Sequence, residues 1–155
     1  MPFSLYCCIC ATIMAMSARP VTWQKLVPEL DASDFAESLK FYTDLLGFRV
    51  LFEREGFAYL ELEALQIMLQ DAANDSWLTG RLEPPFGRGV NFQLELSTVA
   101  PLLQRLRAAD YPLFREPTDN WYETGDVLSG QREFLLQDPD GYLLRFCEPL
   151  GERPK

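Results

Sequence analysis

The sequence predicts an α+β fold of two β-α-β-β-β modules, their strands forming a curved mixed sheet around a concave cleft with helices on the outer face. Three observations carry this. Residues 131–148 alternate apolar and polar side chains on both sides of Asp138-Pro139-Asp140-Gly141, a tight hairpin turn with Pro at its second position and Gly in a left-handed place. Two stretches repeat apolar residues at helical spacing: Phe35, Leu39, Tyr42 and Leu46, then Val99, Leu102, Leu103 and Leu106. Each has one strand-like run before it and three after it, so the order of elements occurs twice.

Residues 1–18 are apolar and uncharged. A signal peptide would lack its positive start, and a membrane span would need about 20 apolar residues. Translation from Met14 or Met16 is the third reading and the one adopted, with residues 1–22 an extension outside the fold. The first module takes residues 23–70. It holds a strand at 25–30, a helix capped by Ser33 or Asp34 and ended by Gly47, and strands at 48–53, 57–63 and 65–70. Residues 71–88 contain Asn74, Asp75, Gly80, Pro84, Pro85 and Gly87 without any period and read as a linker. The second module takes residues 89–149: a strand at 89–96, a helix capped by Ser97 or Thr98 with Pro101 in its first turn, a strand at 112–115, a long loop at 116–130 and the hairpin. Residues 150–155 read as a tail.

Strand alternation separates an apolar face from a mixed one. In the hairpin Phe134, Leu136, Leu144 and Phe146 share one side, and Glu133, Leu135, Gln137, Leu143, Arg145 and Cys147 the other. Phe57, Tyr59 and Glu61 point away from Ala58, Leu60 and Leu62, with Gln66, Met68 and Gln70 beside them. In the strand at 89–96, Asn91, Gln93 and Glu95 point away from Val90, Phe92, Leu94 and Leu96. The open face is polar, acidic and lightly aromatic, with Arg145 as its cation. In a crevice it would select a flat, hydrogen-bonding, cationic ligand. Trp121 and Tyr122, in the long loop with Asp119, Glu123 and Asp126, are expected to form a lid that stacks on such a ligand. Trp77 is assigned to packing, Cys147 to a buried apolar position, and Asp138 and Asp140 to turn formation with no chemical role. Arg145 with Glu133 or Glu95 is an ion pair across strands.

Composition narrows the chemistry. The net charge is −9 and every acid lies beyond residue 28, which disfavours nucleic acid and anionic membranes as partners. No histidine is present, which removes the usual general base and the commonest metal ligand. Cys7, Cys8 and Cys10 crowd the N-terminus far from Cys147, a spacing that fits reduced thiols in the cytoplasm better than a disulfide framework or a zinc site.

The two modules, the run SDFAESLKFYTDLLGF and the closing DPDGYLLRF resemble the vicinal oxygen chelate superfamily across residues 23–149. That group includes glyoxalase I, extradiol dioxygenases, and fosfomycin and bleomycin resistance proteins. Trp121-Tyr122-Glu123-Thr124-Gly125-Asp126, Gln131-Arg132-Glu133-Phe134 and Phe57-Ala58 are similar to the bleomycin resistance branch. Enzymes of the superfamily hold a divalent metal at four cavity positions, which the resemblance carries onto Val27, Met68, Asn91 and Arg145, a set unsuited to such a metal. The resemblance implies no cofactor and a binding protein rather than an enzyme. It would be a homodimer sequestering a cationic aromatic antibiotic in crevices at the subunit interface, with Phe57, Tyr59, Glu61, Asn91, Glu95, Trp121, Tyr122, Glu123, Asp126 and Arg145 as ligand contacts. The alternative is a metal-independent isomerase or lyase acting on a small oxygenated metabolite, with Glu61 or Glu95 as base.

Overall fold

The computed structural model describes residues 21–74 and 77–155. The expectations about the translation start and about Cys7, Cys8 and Cys10 lie outside the described residues. The first module runs β1 (Glu29–Ala32), α1 (Phe35–Lys40), a π-helical continuation (Phe41–Leu46), β2 (Arg49–Arg54), β3 (Phe57–Leu62) and β4 (Leu65–Asp71). The second runs β5 (Asn91–Glu95), α2 (Ala100–Ala108), β6 (Arg115–Thr124), β7 (Val127–Gln137) and β8 (Leu143–Pro154). The strands divide into two four-stranded sheets of the same topology, β1-β4-β3-β2 and β5-β8-β7-β6. In each, the opening strand lies parallel to the closing one and the remaining pairs are antiparallel.

The local signals act largely as expected. Asp34 caps α1 by accepting from the Glu37 N–H at 2.9 Å, and Gly47 ends the helical run at φ 88°. The hairpin register is the expected one, with Phe134 opposite Phe146 and Leu136 opposite Leu144. Several boundaries move. β1 begins at Glu29, so Val27 precedes it, and β5 begins at Asn91, leaving Val90 51 % exposed rather than inward. The start of α2 is closed from a distance, because the Val99 N–H donates to Glu148 Oε2 at 2.7 Å while Ser97 bonds Glu63. A carboxylate there also meets the positive end of the helix dipole.

The largest correction concerns residues 116–130. They form most of β6 and the first part of β7, joined at Thr124 and Val127 through a two-residue turn with Gly125 at φ 68°. No long loop exists there. Residues 150–154, read as a tail, pair with β7 as the end of β8.

One apolar core serves both modules. Tyr42, Leu46, Leu60 and Leu69 from the first join Leu102, Leu106, Phe134 and Phe146 from the second. Arg105 of α2 donates to the Leu45 and Leu46 carbonyls at 3.0 and 2.8 Å, and Phe41 packs on Tyr111 with ring centroids 5.1 Å apart. Because the helical side of each sheet joins this core, the two open faces look away from it.

The 138–142 loop fastens the modules together. Asp140 accepts from Ser33 Oγ at 2.5 Å and Ser38 Oγ at 3.2 Å, and Asp138 accepts from the Tyr42 hydroxyl at 2.9 Å. The Phe86 N–H, from the linker, donates to the Asp140 carbonyl at 2.8 Å. Gly141 is needed here, since a Cβ would lie 2.4 Å from Pro85 and its φ is 95°. Both aspartates are about 5–6 % exposed. They shape the turn and also join it to elements about a hundred positions away. Burial is the main reason that the Asp138 carboxyl is raised to about 6, against the hydrogen bond from Tyr42.

Candidate functional site

The open face of the first sheet has a closed end and an open end. At the closed end, Gln66 holds the segment preceding β1. Its carbonyl accepts from the Gln24 N–H at 2.9 Å and the Tyr59 hydroxyl at 3.2 Å, and its amide donates to the Thr22 carbonyl and to Glu61 Oε1, each at 2.9 Å. Trp23 meets the Tyr59 ring edge-on at 5.0 Å. The second oxygen of Glu61 pairs with Arg49. The Gln66 hydrogen bond foremost, with help from the Arg49 guanidinium and against desolvation, holds the Glu61 carboxyl below its ordinary range. Both Glu61 oxygens are thereby engaged, one by Gln66 and one by Arg49.

At the open end a cleft of about 520 Å³ is lined by Glu29, Asp31, Arg54, Phe57, Met68, Gln70 and Trp77. The side chains are neighbours because β1 and β3 flank β4, with Glu29 beside Met68 and Phe57 opposite Gln70. Arg54 lies 4.0 Å above the Phe57 ring, which in turn lies 6.2 Å from Phe52. Glu29 and Asp31 form no salt bridge among the described residues, and Asp31 Oδ1 is buried with no hydrogen-bond partner among them. Trp77, expected to pack, is 98 % exposed at the rim. The Phe57 face is thus already covered by a cation, and the cleft's free groups are the Glu29 and Asp31 carboxylates and the exposed Trp77 ring, which suit a cationic ring system.

The open face of the second sheet is organised around Glu133, which is 4 % exposed. Its Oε1 accepts from Asn120 Nδ2 at 2.8 Å and from the Tyr122 hydroxyl at 2.7 Å. Its Oε2 lies 3.9 Å from Arg145 NH1, and Arg145 NH2 donates to Gln93. The hydrogen bond to Glu133 is the main reason that the Tyr122 phenol is raised. Cys147 is fully buried beside this network, and desolvation raises its thiol, so it is not an activated nucleophile.

Of the expected ligand contacts, Phe57, Tyr59 and Glu61 lie on the first open face, and Asn91, Glu95, Tyr122 and Arg145 on the second. Trp121, Glu123 and Asp126 do not form a lid. Because β6 is a strand, Trp121 and Glu123 point to the opposite side from Tyr122. Trp121 packs on Gly130 and under the Arg153 guanidinium, 3.9 Å from its ring; Glu123 pairs with Lys155 at 3.0 Å, and Asp126 is exposed at the turn. Glu29, Asp31, Asn120 and Glu133 were not among the expected contacts. The polar alternation Thr118, Asn120, Tyr122 was the available signal for the second group.

The residues onto which the resemblance carries a divalent metal do not suit one: Val27 has no donor atom and the Met68 thioether is soft. Met68 and Asn91 lie on separate sheets, and Arg145 brings a cation already held by Glu133 and Gln93. Among the described residues no group of three or more His, Cys, Asp or Glu is placed to hold a metal ion. No helix among them is long and apolar enough to cross a membrane.

A sequence-family model described as the glyoxalase/bleomycin resistance protein/dioxygenase superfamily matches residues 29–146. A bleomycin resistance protein of Geobacillus stearothermophilus is 24 % identical over 135 residues, covering 80 % of this chain and 96 % of its own. Among solved structures, TioX from Micromonospora sp. ML1 superposes with a TM-score of 0.65 at 19 % identity, over 83 % of this chain and 100 % of its own. A glyoxalase/bleomycin resistance protein/dioxygenase from Nocardioides gives 0.56 at 25 % identity, over 84 % and 87 %.

Proposed function

The chain belongs to the glyoxalase/bleomycin resistance protein/dioxygenase superfamily, and from that premise we propose that it is a metal-free binding protein sequestering a cationic, aromatic antibiotic of the bleomycin type. The observation that carries this is the cleft on the first sheet, where Glu29 and Asp31 form no salt bridge among the described residues and Trp77 offers an exposed ring at the rim. The bleomycin resistance protein similar to nearly all of this chain's folded part supports the choice of ligand. The donor chemistry of Val27, Met68, Asn91 and Arg145 supports binding without a metal.

A homodimer is part of the proposal. The two open faces look away from the shared core, so one chain alone does not bring Phe57 and Arg145 into one crevice. A second copy set against the first places one sheet of each chain across from the other, and exposed Phe52 and Tyr122, 48 and 42 % accessible, would be covered. The buried free thiol of Cys147 agrees with a cytoplasmic protein.

The test is calorimetric titration of the full chain with metal-free and copper-loaded bleomycin, alongside sedimentation velocity. Saturable heat near one ligand per chain and a dimeric sedimentation coefficient are expected. A monomer, or no heat with either form of the drug, overturns the proposal.

A further inference from the structure

The cleft on the first sheet holds unpaired charges of both signs, and the strand register sets them at its two ends. Asp31 of β1 lies beside Gln70 of β4, Gln70 opposite Phe57 of β3, and Phe57 opposite Arg54 of β2. The neighbouring row runs Glu29, Met68, Tyr59 and Phe52. Both acids therefore stand on one edge strand and Arg54 on the other, and all three line the same cleft of about 520 Å³. None of the three forms a salt bridge among the described residues.

The width of the sheet keeps these charges apart. β4 and β3 lie between Asp31 and Arg54, a backbone separation of about 14 Å at the ordinary strand spacing. The Arg54 side chain reaches inward as far as the Phe57 ring, 4.0 Å from its centroid, and the strands beyond leave about 10 Å to Asp31. That gap is too long for an ion pair and leaves room for one ring over Gln70 and Met68, which carry no charge. A ligand bearing only a cation satisfies the acids but adds a second positive charge to a cleft that already holds Arg54. One bearing only an anion meets Arg54 but faces two carboxylates. A ligand with a cation at one end and an oxyanion at the other satisfies both ends, and the donor fork of a guanidinium suits a carboxylate.

We propose that this cleft takes a zwitterionic ligand, its ammonium held by Glu29 and Asp31 and its carboxylate by Arg54, with a flat body lying across Gln70 and Met68. This rests on the reading that the cleft binds a cationic ring system, and it adds the group at the ring's other end. Arg54 is then the residue that sets specificity. It selects, among cations that the two acids attract, those carrying an anion about one ring away.

The test titrates the full chain at neutral pH with probes of one shape, read by the backbone amide resonances of Met68 and Gln70 in nitrogen-proton correlation spectra. The probes are para-aminomethylbenzoate, which carries both charges, para-methylbenzylamine, which carries the cation, and para-methylbenzoate, which carries the anion. The zwitterion is expected to bind at least about fivefold more tightly than either single-charge probe. In Arg54→Gln its advantage over para-methylbenzylamine should fall below about twofold. Equal binding of zwitterion and amine in the wild-type protein, an advantage that survives Arg54→Gln, or no saturable shift with the zwitterion overturns the proposal. So does para-methylbenzoate binding as tightly as the zwitterion. Bleomycin titration of the same sample separates the two readings. Amine and drug binding without any gain from the carboxylate sinks the zwitterion alone, and a preference for the zwitterion without drug binding sinks the drug.

Discussion

The two sheets have one topology and differ in how their open-face acids are partnered. On the second, the central carboxylate is engaged: Glu133 is held by Asn120, Tyr122 and Arg145. On the first, Glu61 is engaged by Arg49 and Gln66, but Glu29 and Asp31 line a cleft with no cation paired to them among the described residues. The difference shows what a duplicated architecture does and does not hold in common. Strand order and the apolar face repeat because the shared core requires them. The outward residues, which the core does not constrain, have diverged into an acidic aromatic cleft and a pre-organised polar floor.

The junction beneath both faces gives the largest expected effect. The Asp138 carboxyl is raised to about 6 from an ordinary 3.8, so its contribution to stability is greatest below the lower value and is lost as pH rises through the upper one. Urea unfolding should therefore show wild-type stability, measured relative to Asp138→Asn, falling by up to about 3 kcal/mol between pH 4 and pH 6. A constant difference across that window would show that burial does not raise the Asp138 carboxyl.

Removing an arginine from each sheet sharpens the contrast directly. Arg145→Met should cost about 2–3 kcal/mol, because it leaves the Glu133 oxygen buried without its cation. Arg49→Met, at a pair whose arginine is 57 % exposed, should cost less than about 1 kcal/mol. Equal losses in chemical denaturation would erase the distinction between the faces. For ligand binding the order reverses: Asp31→Asn should weaken bleomycin about tenfold and Glu95→Gln, exposed on the second sheet, less than about twofold. The smallest effect belongs to Trp121→Ala, which should leave bleomycin affinity unchanged in titration because the ring packs on Gly130 and Arg153 away from either open face.

The hairpin was legible because its register follows from one turn: once Asp138-Pro139-Asp140-Gly141 is a loop, alternation places Phe134 and Phe146 together. β6 was not legible in the same way. Most of its residues are polar or charged on both faces, so no apolar period marks it, and its turn at Gly125-Asp126 gives the only local sign. The roles of Asp138 and Asp140 were hidden for another reason. Their partners Tyr42, Ser33 and Ser38 lie in the other module, and nothing local distinguishes an aspartate that only shapes a turn from one that also joins two units. The open-face contacts were half legible. Alternation gave the right faces for Phe57 and Arg145, but that the faces belong to separate sheets follows only from tertiary packing, and the acids of β1 were missed because that strand begins later than its apolar run.

The central claim is that the first sheet grips the ligand through its unpaired acids. Its most direct test is the affinity of metal-free bleomycin for the wild-type chain and for the double variant Glu29→Gln/Asp31→Asn, each at low and moderate salt. Binding that weakens with salt in the wild type, and that is at least about tenfold weaker and nearly salt-independent in the variant, is the expected result. Equal affinity and equal salt dependence in the two proteins would contradict it.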